Sequence, residues 1–117
     1  MEYTTHEENN KMIVEIVSLD SVIASASDFL DVIVNLPANN VIVYEHMLHK
    51  DFFDLKTGLA GEVLQKVSTY RFRLGIVGDF TKYESNSLRD FIYESNETKQ
   101  VMFLDSREAI VEEFMNT

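Results

Sequence analysis

Cysteine is absent from this 117-residue chain, which removes disulfides, thiolate catalysis, cysteine-held iron–sulfur clusters and cysteine-ligated zinc in one step. Basic residues are scarce: ten lysines and arginines face twenty aspartates and glutamates, a net charge of −10. Nucleic acid and anionic membrane both demand a basic face, so neither is an expected partner, and the charge is read first as a source of solubility. No apolar run approaches the roughly 18 to 20 residues that span a bilayer. The opening Met-Glu-Tyr-Thr-Thr-His-Glu-Glu-Asn-Asn lacks the basic-then-apolar layout of a secretory signal. A soluble, cytoplasmic protein is expected. Also missing are a Gly-x-x-x-x-Gly-Lys-Thr run, a Gly-x-Gly-x-x-Gly run and a Gly-x-Ser-x-Gly elbow, so nucleotide binding is weakly supported and no serine nucleophile is found. Proline occurs once, at Pro37, and all four glycines (Gly58, Gly61, Gly75, Gly78) fall between Val41 and Phe80.

That glycine-bearing stretch is the organising unit. Two apolar runs, Val41 to Glu45 and Leu74 to Val77, flank one amphipathic segment with Leu59, Val63, Leu64 and Val67 on one face, which predicts strand, helix, strand. Before it, Tyr3 to Glu7 and Met12 to Val17 flank Glu8-Asn9-Asn10-Lys11, the turn chemistry of a β-hairpin whose second arm is apolar enough to lie inside a sheet. Helical spacing from Asp20 or Ser21 through Val22, Ile23, Ala26, Phe29, Leu30 and Ile33 predicts a first helix, kinked or broken near Ser25 and stopped before Pro37. His46 to Asp54 reads as a loop at the carboxyl end of the first parallel strand, where α/β folds place ligands. Thr81-Lys82-Tyr83-Glu84 has capping-box spacing, predicting a helix from there or a few residues later to about Ser95. Val101 to Leu104 is a strand, and Asp105 with Glu108 predicts the cap of a last helix burying Ala109, Ile110 and Phe114. Residues 1–117 therefore form one α/β domain: an N-terminal hairpin, then alternating helices and mostly parallel strands, about five strands and four helices.

An acid ends each parallel strand: Glu45, Asp79 and Asp105, with Asp54 nearby. Gathered on one rim they could hold a divalent cation or tune one carboxyl for acid–base work; read blandly, Asp54 and Asp105 are helix caps and Asp79 a turn residue. Glu45 and Asp79 should lie at neighbouring strand ends. His46 and His49 could ligate metal with Glu45 or Asp51, but loop spacing does not fix their geometry, and surface or ligand-facing imidazoles are the alternative. Arg89 and Tyr93 lie one helical turn apart, as do Asp90 and Glu94, on a solvated or partner-docking face. Phe52, Phe53, Phe80 and Tyr83 collect at the same sheet end, closing the core or lining a pocket. Leu64→Ala is expected to cost about 2 to 5 kcal/mol from a position on the inner helix face.

The run from Asn40 to Gly78, with Gly-Asp-Phe-Thr-Lys-Tyr and Ser-Leu-Arg-Asp-Phe-Ile-Tyr-Glu-Ser-Asn after it, resembles a bacterial family catalogued as domain of unknown function 4180, over nearly the whole chain. More remotely, strand, loop, Thr57-Gly58-Leu59, helix and strand resemble STAS domains, the fold of anti-sigma-factor antagonists, where Asp-Ser-Ser-Gly-Leu precedes the helix. Here Asp54-Leu55-Lys56-Thr57-Gly58-Leu59 is one residue longer and lacks the paired serines. The resemblance implies a STAS-like, non-catalytic regulatory or protein-interaction module and makes Thr57 the position to test for a phosphorylation switch; otherwise Thr57 caps the helix, and Thr57→Asp should cap as well as threonine. The alternative is a small enzyme or metal-dependent hydrolase using the acidic rim. Candidate ligand or partner residues are Glu45, His46, His49, Asp54, Thr57, Asp79, Tyr83 and Arg89, with a protein partner expected, a small-molecule ligand and a homodimer left open, and no cofactor called for.

Overall fold

The computed structural model describes residues 2–116. Strand β1 (Glu2–Glu8) folds back on β2 (Lys11–Val17) through Asn9 and Asn10, both in the left-handed region, as a two-residue hairpin turn requires and as asparagine tolerates. From β2 onward the chain alternates: α1 (Ala26–Ile33), β3 (Asn40–Tyr44), α2 (Leu59–Thr69), β4 (Arg73–Val77), α3 (Asn86–Thr98), β5 (Val101–Leu104) and α4 (Arg107–Met115). The five strands lie in sequence order, β1-β2 antiparallel and the rest parallel. No helix among the described residues is long and apolar enough to cross a membrane.

Strand order dictates where the helices go. When each parallel strand is added beside the last, crossovers of one hand fall on one face of the sheet. Accordingly α1, α2 and α3 pack together against Val14, Val41, Val43, Leu74, Ile76 and Phe103. Among the described residues only α4, which follows the last strand, reaches the other face, where Ile110 and Phe114 cover Ile13, Ile42, Val77 and Met102. Gly75 makes that contact close: a Cβ there would sit 2.2 Å from Ile110 Cγ2.

The two sheet edges differ. At β5, Ser95 donates its hydroxyl to Val101 O at 2.6 Å, while the Asn96 amide accepts from Phe103 N at 2.6 Å and donates to Phe103 O at 3.2 Å. Side chains of α3 thus stand in for a sixth strand and close that edge. β1 lies at the other edge with every side chain but His6 exposed, and its glutamates Glu2, Glu7 and Glu8 discourage unwanted strand pairing.

Three boundaries depart from the sequence reading. The first helix begins only at Ala26, capped by Ser25, whose hydroxyl accepts from Asp28 N at 3.0 Å. Val22 and Ile23 match helical spacing but run extended, bonding to Met47 O and bridging Ile23 to Leu48, so tertiary pairing overrode their period. Helix α3 starts at Asn86 under Ser85, a few residues past Thr81 as the reading allowed, since Thr81 is held in a turn by Asp79, but it runs on to Thr98. Ser106, not Asp105, caps α4, accepting from Ala109 N at 3.1 Å. The expected loop after β3 is instead a chain of 3-10 turns, Glu45–Met47, Lys50–Phe53 and Leu55–Thr57.

Candidate functional site

The carboxyl ends of β3, β4 and β5 form one rim. β3 and β4 pair Tyr44 with Val77, and β4 and β5 pair Val77 with Leu104, so Glu45, Asp79 and Asp105 leave the sheet side by side. Glu45 and Asp79 are at neighbouring strand ends, as expected.

Glu45 is engaged on both oxygens. Oε1 accepts from Asp79 N at 3.3 Å, and Oε2 takes the Tyr83 hydroxyl and stands 2.7 Å from Lys82 Nζ. Burial, then the hydrogen bond and charge of Glu45, push the Tyr83 phenol far above its ordinary range, so it remains a donor. A Cβ on Gly78 would lie 2.6 Å from Glu45 Oε1 and 2.7 Å from its Cβ, which explains glycine at that strand end. Tyr83 also stacks on Phe53, ring centroids 4.9 Å apart and 16° from parallel.

Of the other candidates, His46 lines a smaller hollow of about 260 Å³ with Glu45, Lys82 and Tyr83, and the rest disperse. His46 lies 2.7 Å from Ser18 O through Nε2, and His49 Nδ1 accepts from Asp51 N at 3.0 Å, so the two imidazoles have separate partners. Asp54 caps the short 3-10 turn by accepting from Lys56 N at 3.2 Å. Gly58, at φ +80, is the cap residue of α2. Thr57 precedes it with its hydroxyl 2.6 Å from Asp51 O and 2.9 Å from Asp54 O, and accepts from Leu59 N at 3.3 Å. Among the described residues no three of His, Asp and Glu are placed to hold a metal ion.

Beside the Glu45 cluster, Gly78 to Thr81 and Phe103 to Asp105 line an open cleft of about 820 Å³, with Arg89 and Ile92 of α3 as its far wall. Phe80 meets Phe103 edge-on in its floor, centroids 5.4 Å apart. Asp79 is exposed, and the Thr81 hydroxyl at 2.5 Å, then the Thr81 backbone N–H, hold its carboxyl below the usual range. Arg89 donates Nε to Tyr83 O at 3.1 Å. The aromatic group therefore does both things foreseen for it: Phe52 is buried in the core, while Phe80 faces the cleft.

Residues 8–114 match the family model described as Domain of unknown function (DUF4180). The chain belongs to this family. No curated protein and no solved structure matches it.

This member of the family has a second polar cluster, one that sequence reasoning missed. Glu15 of β2 accepts from Arg107 Nε at 2.6 Å and from the Tyr44 hydroxyl at 2.9 Å, and His6 Nε2 lies 3.1 Å from it. Burial raises the Glu15 carboxyl, but the bonds from Arg107, Tyr44 and His6 outweigh it and leave the group below its ordinary value. Burial and the bond to Glu15 push Tyr44 up to about 12. The cluster ties α4 to the hairpin. Its one signal in the sequence was Glu15 itself, a lone charge inside Met-Ile-Val-Glu-Ile-Val, where an interior strand tolerates a charge only with partners.

Proposed function

We propose that this domain is a non-catalytic regulatory module of STAS-like type that binds a protein partner on the outer face of α3 at the margin of the cleft. The observation that carries it is Tyr93, 68% exposed and one turn from Arg89, which itself lines an open, partly apolar cleft. Large exposed aromatics with a neighbouring arginine are the side chains that dominate protein interfaces. The chemistry of the rim supports binding over turnover. A general acid needs a raised carboxyl, whereas Thr81 holds that of Asp79 below its ordinary value; both oxygens of Glu45 are occupied by Asp79 N, Tyr83 and Lys82. A module that binds a partner without chemistry is also what the STAS resemblance implies.

Site-specific photocrosslinking in the native cell tests this. A photoreactive residue in place of Tyr93 should give a discrete adduct with one protein, while the same residue in place of exposed Tyr70 or Val34 should not. Identical adduct patterns from all three positions would overturn the docking face.

A further inference from the structure

Three solvent-exposed charged groups border the cleft, each with side-chain atoms that have no protein partner among the described residues. Asp79 Oδ1 accepts from the Thr81 backbone N–H and hydroxyl, and its Oδ2 meets no protein donor among the described residues. Asp105, the next acid along the rim, makes no side-chain hydrogen bond with any described residue. Arg89 is anchored through Nε to Tyr83 O, which leaves its Nη groups without an acceptor among the described residues. Glu45, close by, is the contrast, since both of its oxygens are engaged. Between the three charges the floor is apolar, built from Phe80, Ile92, Phe103 and Leu104. The cleft, about 820 Å³, falls in the size range of small-molecule sites, roughly 300 to 1,000 Å³.

We propose that this cleft binds a free α-amino acid with a large apolar side chain, its ammonium group at Asp79 and Asp105, its carboxylate at Arg89 and its side chain on Phe80 and Ile92. The sign of the charges selects the class. A simple carboxylate or phosphate would meet two aspartates on a protein of net charge −10, with Arg89 in its favour and Lys82 already paired to Glu45. An uncomplicated amine would satisfy the aspartates and leave Arg89 unused. A zwitterion answers all three groups at once, and the guanidinium fork suits a carboxylate in particular. The apolar floor adds burial for the side chain, and the partly exposed Phe80 ring gives a hydrophobic or ring-bearing side chain the larger contact. The inference deepens the binding reading of this rim by naming a small-molecule occupant for the cleft beneath the docking face.

The test is a titration of the purified ¹⁵N-labelled chain followed by NMR, with no protein partner present, so that its outcome is independent of the crosslinking result. The probes are L-phenylalanine, L-leucine, L-phenylalaninamide and N-acetyl-L-phenylalanine. The two free amino acids should shift the amides of Gly78 to Thr81 and Phe103 to Asp105 saturably. The amide and the N-acetyl compound, each lacking one charge, should bind at least about tenfold more weakly, the scale of one lost charge-assisted hydrogen bond. They also stand for a peptide amino terminus and carboxyl terminus, so either one matching phenylalanine would assign the cleft to a chain end and overturn the free amino acid. Asp105→Asn and Arg89→Gln should each weaken phenylalanine about tenfold with the melting temperature unchanged. Shifts confined to another surface, no saturable shift with either amino acid, or unaltered affinity in both variants would overturn the proposal.

Discussion

The Glu45 carboxylate accepts the backbone N–H of Asp79 at 3.3 Å, bridging the carboxyl ends of two neighbouring parallel strands. The same oxygen occupies the space that a side chain at position 78 would need. Gly78→Ala should therefore destabilise the fold by about 1 to 3 kcal/mol, the usual cost of forcing atoms into a filled site. Chemical denaturation gives the number directly, and an alanine variant as stable as the parent would show that Glu45 swings away freely.

Glu45 and Lys82 should not be equivalent. Glu45→Ala strips partners from the half-buried Tyr83 hydroxyl and from Asp79 N, and should cost about 1.5 to 3 kcal/mol, the scale of hydrogen bonds to a charged group. Lys82 is 55% exposed, so Lys82→Ala removes a solvated ion pair worth under about 1 kcal/mol. Equal losses in the two variants would put the ion pair, not the hydrogen bonds, at the centre of the rim.

The Glu15 cluster makes stability depend on pH at both ends of the scale. Glu15 titrates lower in the folded chain than in the unfolded one, so its contribution is fully present above the ordinary carboxylate range and is lost as pH falls through its folded value. Tyr44 is the mirror case. Its folded value of about 12 exceeds the ordinary 10.0, so the unfolded chain releases that proton first and stability falls as pH rises between the two. Glu15→Gln should flatten the acidic decline and reduce the alkaline one, because the carboxylate bond that raises Tyr44 is gone. Denaturant midpoints measured from pH 3 to pH 11 for both proteins decide it, and parallel profiles would remove Glu15 from the linkage.

Strand and helix order was legible because the apolar runs are short, separated and punctuated: Val41 to Tyr44, Leu74 to Val77 and Val101 to Leu104 all appear where periodicity places them. Boundaries slipped where a local signal competed with a tertiary one, as at Val22 and Ile23, which pair with the turn at Met47 instead of winding into α1. The rim was legible through its acids, but what each acid does depends on long-range partners such as Lys82 and Tyr83, which no spacing rule reveals. Depth of burial was the weakest inference. Leu64 packs at the core margin and is only half-buried, lining a groove with Phe91, whereas Leu59 is 5% exposed. Leu59→Ala should show the full loss of about 2 to 5 kcal/mol, and Leu64→Ala should fall below that range. A reversed ranking in urea denaturation would mean that α2 is rotated.

Thr57 separates a cap from a switch more sharply than its sequence position did. As a cap alone it would use its hydroxyl only to accept a backbone N–H, and aspartate would serve as well. In the structure the hydroxyl accepts from Leu59 N, but it also has the carbonyls of Asp51 and Asp54 within 2.9 Å, so its single proton is donated back into the 3-10 turns. Aspartate has no proton to give at neutral pH and would set a carboxylate against two carbonyl oxygens. Thr57→Ser should keep the parent stability, Thr57→Ala should lose about 1 kcal/mol, and Thr57→Asp should do no better than alanine. Phosphorylation would replace the same donor with acceptor oxygens, so a phosphate here would open the turn leading into α2 rather than settle on the helix end. Melting temperatures of the three variants test the assignment. Thr57→Asp matching the parent would show that accepting from Leu59 N is the role that matters, and the helix end would then be free to take a negative charge.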